Sequence, residues 1–340
     1  MSKRNPKIVT LGGGTGAPTI IRALVLAGFS NISAISASMD SGGKTGVIRS
    51  DERDRVIAAS DLLRNLLALI SPQDSRKKNV TALTSILNFI DGRNRNLGYT
   101  IYYALLEKYQ NDFLKVQKHL ESLLNIKLKG IAIPISLFPT NICFETKSGA
   151  ICQGEHQLDR QSLSKDTIKK IWLKPKVQAT KQALKAIESA THIIYCPGSF
   201  YGSVVTNFLP LGITQSLQKT KAQKILITNL VSTRNETHRL TPQKYFQIFQ
   251  RYTKLDLPFN HLIIPQSTQK QFNQRYPAVK SSYTSEHSHF LGWPQNQTNS
   301  LKSKGIKILR TNSFYTTPQL NRLRHDPQKL KAFLKKIIKD

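Results

Sequence analysis

Residues 7–16 read KIVTLGGGTG, a short apolar run that ends in glycines. Residues 17–27 carry apolar side chains at helical spacing, and Pro18 falls in the first turn, where proline is tolerated. A second apolar run, 32–37, begins at about the distance that a right-handed βαβ crossover requires. The succession of strand, tight turn, helix and strand predicts the opening of a doubly wound, mainly parallel α/β sheet.

The rest of the chain continues this alternation. We expect helices over 56–70, 83–90, 100–108 and 179–190, and strands over 128–136, 192–196, 224–228, 261–264 and 306–309. At 340 residues the chain is long enough for two domains, but a large α/β sheet can take up all of it. The pattern therefore predicts a single nucleotide-binding α/β domain over 1–340.

Two segments interrupt the alternation. Residues 137–175 contain short alternating runs around Ser148 and Gly149, which predict a small β-hairpin insertion. Residues 266–305 are rich in Gln, Ser, Asn and Lys, and we expect a mobile loop there.

The formal net charge of +30 invites a nucleic-acid interpretation, because clustered Lys and Arg release counterions from phosphate backbones. Here the basic residues are spread along the chain. The dense run 329–339 carries apolar residues at helical spacing, which indicates the solvated face of a helix. A generally basic surface is favoured, and a nucleic-acid partner is not expected.

The lengths of the apolar runs and the number of cysteines indicate the cellular compartment of the protein. No apolar run reaches the roughly 18 residues of a membrane span, and the N-terminal run is too short for a signal peptide. The three cysteines, Cys143, Cys152 and Cys196, leave one thiol over under any pairing and lack the spacing of a zinc site. We therefore expect a cytoplasmic protein.

Ligands of an open parallel sheet sit beyond the carboxyl ends of its strands, and the informative polar groups here all follow strands. The turn after the first strand consists of Gly12, Gly13, Gly14, Thr15 and Gly16. Glycines let the backbone approach a phosphate, and the N–H groups of the helix start donate to its oxygens. The spacing is not that of the dinucleotide fingerprint, because Ala17 stands where its third glycine is expected.

Asp40, followed by Gly42 and Gly43, comes after the second strand. It lies near the place where a dinucleotide fold puts an acidic residue on a ribose hydroxyl. It could equally hold a cation such as Mg²⁺ beside the phosphates. The two glycines allow a second close approach of backbone and ligand.

Gly198 and Ser199 follow a later strand, and Asn229 follows the next one. The G-x-S-x-G elbow of a hydrolase nucleophile is missing around Ser199, so we expect its hydroxyl and backbone to bind an anion. Asp61 and Asn65 lie on or near one face of the helix predicted over 56–70, where they complete the expected nucleotide cleft.

Together these segments resemble the gluconeogenesis-factor family, which is similar to the 2-phospho-L-lactate transferases. The resemblance is carried by residues 7–16, 40–49, 61–65, 124–133, 154–155, 197–207, 229–237 and 323–327. It implies a Rossmann-like fold with one central nucleotide cleft. In the gluconeogenesis-factor branch it implies binding of nucleotide sugars such as UDP-N-acetylglucosamine, and a link to cell shape and wall synthesis during growth on gluconeogenic carbon sources.

The transferase branch implies different chemistry, in which a phospholactyl group passes from a guanylylated donor to a deazaflavin with the help of magnesium. This chain departs from the family pattern at Ser41, where the family has a second aspartate. It also has Leu62-Leu63 between Asp61 and Arg64, one residue more than the family pattern, and Cys196 in place of a glycine. These departures favour a binding protein over a catalyst.

Three functions follow from these observations. The first is a regulatory protein that binds a nucleotide or nucleotide sugar, with phosphates on Gly12–Gly16 and Gly198–Ser199 and ribose or base contacts from Asp40 and Asn229. The second is a transferase in which Asp40 holds Mg²⁺, and the third is a protein that uses its basic surface to associate with nucleic acid. The sequence assigns no catalytic residue and leaves the base, the sugar and the oligomeric state, including a homo-oligomer, open.

Overall fold

A computed structural model describes residues 5–42, 45–46, 48–49, 56–159, 166–238, 240–317 and 321–339. Its strands are β1 (Ile8–Leu11), β2 (Ile32–Ser36), β3 (Gly130–Pro134), β4 (Asn141–Thr146), β5 (Ile151–Gln153), β6 (Ile168–Lys174), β7 (His192–Tyr195), β8 (Gln223–Ile227), β9 (His261–Pro265), β10 (Lys307–Thr311), β11 (Phe314–Thr317) and β12 (Arg322–His325).

Helices alternate with these strands. They are α1 (Gly16–Leu26), α2 (Ser60–Ala68), α3 (Lys78–Leu87), α4 (Leu97–Lys108), α5 (Phe113–Leu124), α6 (Lys181–Ser189), α7 (Ile213–Lys219), α8 (Pro242–Thr253), α9 (Gln269–Arg275), α10 (Pro277–Ser285), α11 (Gln295–Lys302) and α12 (Pro327–Lys339). None of the helices in the described ranges is both long and apolar enough to cross a membrane.

Seven parallel strands form the central sheet, in the order β10-β9-β8-β7-β1-β2-β3. β1 is buried along its whole length, as expected of a strand whose two faces are both covered by helices. On one side of β1 the chain proceeds outward through β2 and β3, and on the other through β7 to β10. The order thus reverses between β1 and β7, which is the place where doubly wound sheets bind ligands. The predicted fold class is confirmed.

Outside the central sheet, β4 pairs antiparallel with both β5 and β6, so a small antiparallel sheet forms between Asn141 and Lys174. This agrees with the hairpin predicted over 137–175. A second antiparallel pair, β11 with β12, lies near the C-terminal end. After it, α12 buries Leu330, Leu334 and Ile338 on one face, with α1 as its main neighbour.

The stretch 266–305 differs from the expected loop because it contains α9, α10 and α11. Thr268 and Gln271 form a reciprocal capping box at the start of α9, and Pro277 occupies the first turn of α10. The few apolar residues of the stretch, such as Phe272 and Leu301, are buried. Its polar composition belongs to exposed helix faces, so composition alone was a poor guide to secondary structure.

Candidate functional site

A cavity of about 530 Å³ opens at the carboxyl ends of β1 and β7. Several parts of the chain line it: the glycine turn before α1, the turns after β2, β7 and β8, the segment around Glu155, α2, β12, and the end of α10. Its volume lies within the range of small-molecule sites, and it coincides with the reversal of strand order. This cavity is called the cleft below.

The glycine turn is pressed against the turn that follows β7. A Cβ on Gly12 would lie 2.7 Å from Cβ of Cys196, and one on Gly16 would lie 2.1 Å from the carbonyl oxygen of Pro197. Gly14 has a φ of +62°, which favours glycine. Only backbone fits at these two contacts, so the glycine turn and the turn after β7 approach each other closely at the start of α1.

Asp61 holds the glycine turn from below. Its Oδ2 accepts a hydrogen bond from the N–H of Gly14 at 2.8 Å, and its Oδ1 pairs with Nη1 of Arg64 at 2.7 Å. The guanidinium of Arg64 also donates to the hydroxyl of Tyr99 at 2.6 Å. Burial raises the pKa of Asp61 to about 6 against the opposing effect of Arg64, with a further increase from Asp40 and a decrease from the Gly14 N–H. Asp61 therefore fixes the backbone of the glycine turn at the edge of the cleft.

Asn229 plays a similar part on the opposite wall. Its Oδ1 accepts from the N–H of Gly198 at 2.9 Å, and its Nδ2 donates to the carbonyl oxygen of Gly198 at 2.7 Å. Both ends of the side-chain amide are thereby engaged with one backbone unit. Asn229 therefore holds the Gly198 turn, and the base or ribose contact expected of it stays a prediction.

Glu236 is buried behind Ser199. The Ser199 hydroxyl donates to its carboxylate at 2.9 Å, and the N–H of Tyr201 donates to Oε2 at 2.5 Å. Burial raises the pKa of Glu236 to about 7, while these hydrogen bonds lower it. This carboxyl group lies in the lining of the cleft.

A second carboxyl group, that of Glu155, lies with Asp40 in the lining of the cleft, and both carboxyl groups approach Gly42. Burial raises the pKa of Glu155 well above its usual range, and the negative charges of Asp40, Glu236 and Asp159 raise it further. Ser41, the residue that replaces the second aspartate of the family pattern, instead contacts His156 through its hydroxyl at 3.1 Å. Glu155 thus brings a second carboxyl group to Asp40 from a distant part of the chain.

Magnesium is the metal that the transferase resemblance implies. Within the described ranges, no group of three or more His, Cys, Asp or Glu side chains is arranged to hold a metal ion. Mg²⁺ is nevertheless commonly held by one or two carboxylates together with ligand phosphates and water. Asp40 and Glu155 fit that role beside the glycine turn, with the remaining ligands coming from a bound phosphate group.

The β11–β12 hairpin forms the outer wall of the cleft. Arg322 makes a two-pronged ion pair with Glu286 and lies over the ring of Tyr283. His325 is buried and its Nε2 lies 3.0 Å from the carbonyl oxygen of Thr228, so the neutral ring donates there, and burial lowers its pKa to about 4. Arg324 also lines the cleft.

The structure brings most of the predicted site residues together. The predicted residues that line the cleft are Gly14, Thr15, Gly16, Asp40, Asp61, Gly198, Ser199 and Asn229. Gly12 and Gly13 are buried beneath the turn, Gly42 packs near Glu155 and Asp40, and Gly43 lies outside the described residues. Asn65 is fully buried on α2, where neither end of its amide has a hydrogen-bond partner among the described residues.

Several cleft residues were not assigned a role from the sequence. The carboxylates of this group are Glu155, Asp159, Glu236 and Glu286, and the basic residues are Arg322 and Arg324. A signal existed for some of them, because Glu155, Glu236 and Arg324 fall in segments that carry the family resemblance. With Asp40 and Asp61 included, six carboxyl groups and two arginines line the described cleft of a chain whose formal charge is +30.

The fold and the cleft define a Rossmann-like α/β protein with backbone-rich loops at the switch point of its sheet. The chain belongs to the 2-phospho-L-lactate transferase CofD family, whose sequence model matches residues 8–313. The resemblance inferred from the sequence is therefore confirmed.

Curated relatives of this chain carry the name gluconeogenesis factor. The putative gluconeogenesis factor of Aquifex aeolicus is 25% identical over 337 residues, which cover 98% of this chain and 97% of the relative. That of Thermotoga maritima is 30% identical over 253 residues, covering 74% and 77%. A crystal structure of a Bacillus halodurans protein has the same fold, with a TM-score of 0.80 at 23% identity over 99% of this chain and 100% of that one.

Proposed function

We propose that the chain is a gluconeogenesis factor that binds a nucleotide or nucleotide sugar in the cleft and acts as a regulatory protein. One observation carries the proposal: two glycine-containing loops, Gly14–Gly16 and Gly198–Ser199, line the same cleft at the reversal of strand order. Exposed N–H groups at the start of a helix are a general anion-binding arrangement. Diphosphate is the ligand group that suits two such loops.

The remaining contacts follow from the geometry. In this proposal phosphates lie on the two loops. Oδ1 of Asp40 already accepts from the N–H of Gly42 at 2.8 Å, so Oδ2 is the oxygen that accepts from a ribose hydroxyl at the end of β2. Asp61 and Asn229 act on the ligand indirectly, because their hydrogen bonds hold the loops. Arg324 supplies positive charge from the hairpin, while the ion pair of Arg322 with Glu286 fixes the hairpin beside the cleft.

The proposals for the sugar of the ligand and for the cellular role are based on the family to which the chain belongs. The names of the curated relatives support a role connected with gluconeogenic growth. Within that family we propose a UDP-sugar of the UDP-N-acetylglucosamine type as ligand, and a function in cell shape and wall synthesis on gluconeogenic carbon sources. The cytoplasm is the proposed compartment, since Cys143, Cys152 and Cys196 are all free thiols.

A thermal-shift panel tests this function. The panel contains UDP-N-acetylglucosamine, GDP, NAD and a deazaflavin, each with and without Mg²⁺. A ligand that binds the native state raises the midpoint of unfolding, so the UDP-sugar should produce the largest shift. Arg324→Gln should reduce that shift, and Arg93→Gln, an exposed arginine away from the cleft, should leave it unchanged. No shift from any nucleotide would refute the proposal.

A second function, transfer of a phospholactyl group with magnesium, is favoured by one specific observation. Asp40 and Glu155 bring two carboxyl groups together beside the glycine turn, and two carboxylates with ligand phosphates are a common way to hold Mg²⁺. Asp40→Asn separates the two functions. If it abolishes binding of GDP only when Mg²⁺ is present, the transferase is supported, whereas a loss of UDP-sugar binding that does not depend on Mg²⁺ supports a ribose contact.

A further inference from the structure

A second cavity, of about 500 Å³, lies between the small antiparallel sheet and helix α8. Lys147, the residues 166–169 and the beginning of β6 form one wall, and the loop 234–238 forms the floor. The other wall is one face of α8, because Lys244, Gln247, Ile248 and Arg251 follow the i, i+3, i+4, i+7 spacing of a helix. This cavity is called the basic groove below.

The two walls are tied together, so the groove is formed without a ligand. Nη1 of Arg251 donates to the carbonyl oxygen of Lys169 at 2.9 Å, and the hydroxyl of Tyr252 accepts from the N–H of Ile171 at 2.9 Å. The floor is fixed by Asn235, whose Nδ2 donates to the carbonyl oxygen of Leu158 at 2.6 Å. A preformed cavity of this size is typical of small-molecule sites.

Positive charge dominates the groove. Lys147, Lys169, Arg234, Lys244 and Arg251 line it, against Asp166 and the buried Glu236. Lys169 pairs with Glu145 at 2.6 Å. No carboxylate among the described residues forms an ion pair with Lys147, Arg234 or Lys244. The carboxylate of Asp166 accepts a hydrogen bond from the hydroxyl of Ser148 at 2.5 Å.

The groove is separate from the cleft and opposite in charge. Tyr201 and Glu236 belong to the wall between them, with Ser199 donating to Glu236 from the cleft side. Six carboxyl groups line the cleft, whereas five basic side chains line the groove. The two cavities therefore differ in the charge of their lining side chains, although Glu236 belongs to both linings.

We propose that the basic groove is a second binding site, which takes a small anion carrying two or more phosphate or carboxylate groups. Two acidic groups are needed because the cations stand on opposite walls, with Lys147 on one side and Lys244 on the other. The groove is short, and its one aromatic residue, Tyr201, is buried. Nucleic-acid strands are typically held along extended basic tracks with exposed aromatic rings for stacking, so a small molecule fits the groove better.

Calorimetric titration of the full chain tests the proposal, with inorganic pyrophosphate and citrate as separate probes at constant ionic strength. Lys147→Gln/Lys244→Gln removes one exposed cation from each wall. We expect it to weaken binding of the preferred probe by about tenfold or more, since charge-assisted hydrogen bonds are lost. Which of the two probes is affected identifies phosphate or carboxylate as the recognised group.

Two matched variants make the result specific. Lys335→Gln/Lys336→Gln removes the same charge from the exposed face of α12 and should leave binding within about twofold of the original value. Arg324→Gln alters the cleft and should also leave it unchanged. The proposal is overturned if the control pair weakens binding as much as the groove pair, or if Arg324→Gln abolishes it. It is also overturned if neither probe binds, whether or not a single-stranded oligonucleotide does.

Discussion

Oδ2 of Asp61 accepts a hydrogen bond from the N–H of Gly14 at 2.8 Å, and it lies only 2.1 Å from the position that a Cβ on Gly13 would take. The middle glycine of the turn is therefore required by a carboxylate on α2, a residue 48 positions away in the chain, rather than by a ligand. The turn and the helix form one unit, in which the buried carboxylate fixes the backbone that faces the cleft.

Gly13→Ala should lower the free energy of unfolding by about 1–3 kcal/mol, because the new methyl group must displace the Asp61 carboxylate from its hydrogen bond with Gly14. Urea unfolding measures the change. Gly92→Ala is the matched control, since a Cβ at Gly92 would meet no atom within 4 Å. Equal stability of the two variants would contradict the packing of Asp61 under the turn.

The positions of the central strands could be predicted from the sequence because they depend on local patterns. Apolar runs such as Ile8–Leu11 and His192–Tyr195 end in turns of glycine or proline, and both became parallel strands of the central sheet. Helices α9 to α11 were missed for a physical reason. Their exposed faces are polar and their buried anchors, such as Phe272, are few, so composition suggested a loop where capping and a few buried side chains hold helices.

Part of the candidate site could be predicted from the sequence. Backbone loops such as Gly14–Gly16 were found because glycine at a strand end reports a backbone requirement directly. Roles that depend on contacts between distant segments were not found. The hydrogen bonds of Asn229 with Gly198 join residues 31 positions apart, and the proximity of Glu155 to Asp40 joins residues 115 positions apart, which no local spacing indicates.

Asn229→Ala should weaken binding of every nucleotide by a similar factor, because it releases the Gly198 turn rather than a contact with one base. Loss of both hydrogen bonds to Gly198 should also lower the free energy of unfolding by about 2 kcal/mol. Thermal shifts over several nucleotides and urea unfolding report the two effects. Asn299→Ala, on an exposed position of α11, serves as the control.

A change of preference between uridine and guanosine nucleotides in Asn229→Ala, with stability unchanged, would contradict the role of Asn229 in holding the Gly198 turn. That result would mean that the side-chain amide contacts the base directly. A uniform loss of binding in Asn299→Ala as well would mean that the effect is not specific to the Gly198 turn.

Glu236→Gln should remove part of the pH dependence of stability. The pKa of Glu236 rises on folding from 4.5 to about 7. Its contribution to the free energy of unfolding is therefore fully present below about pH 4.5 and is lost as the pH rises through about 7. Gln keeps an acceptor oxygen for Tyr201 and Ser199 but cannot ionise. The variant should match the original chain near about pH 4 and exceed it by up to ~3 kcal/mol near about pH 9.

Urea unfolding of both proteins across this pH range measures the difference. Because the remaining groups titrate alike in the two proteins, subtracting their curves isolates Glu236. A difference that does not grow with pH would show that the carboxylate is not destabilised by its buried position.

His325→Gln should change the pH dependence in the opposite sense. Burial lowers the pKa of His325 from 6.5 to about 4, so the native state binds this proton less well than the unfolded chain does. The contribution of His325 to the free energy of unfolding is therefore fully present above about pH 6.5 and is lost as the pH falls toward about 4.

Gln at position 325 can still donate to the carbonyl oxygen of Thr228 but takes up no proton. Urea unfolding should show the original chain losing up to ~3 kcal/mol more than the variant over this acid range. If the two proteins lose stability in parallel instead, His325 is not held neutral in the wall of the cleft.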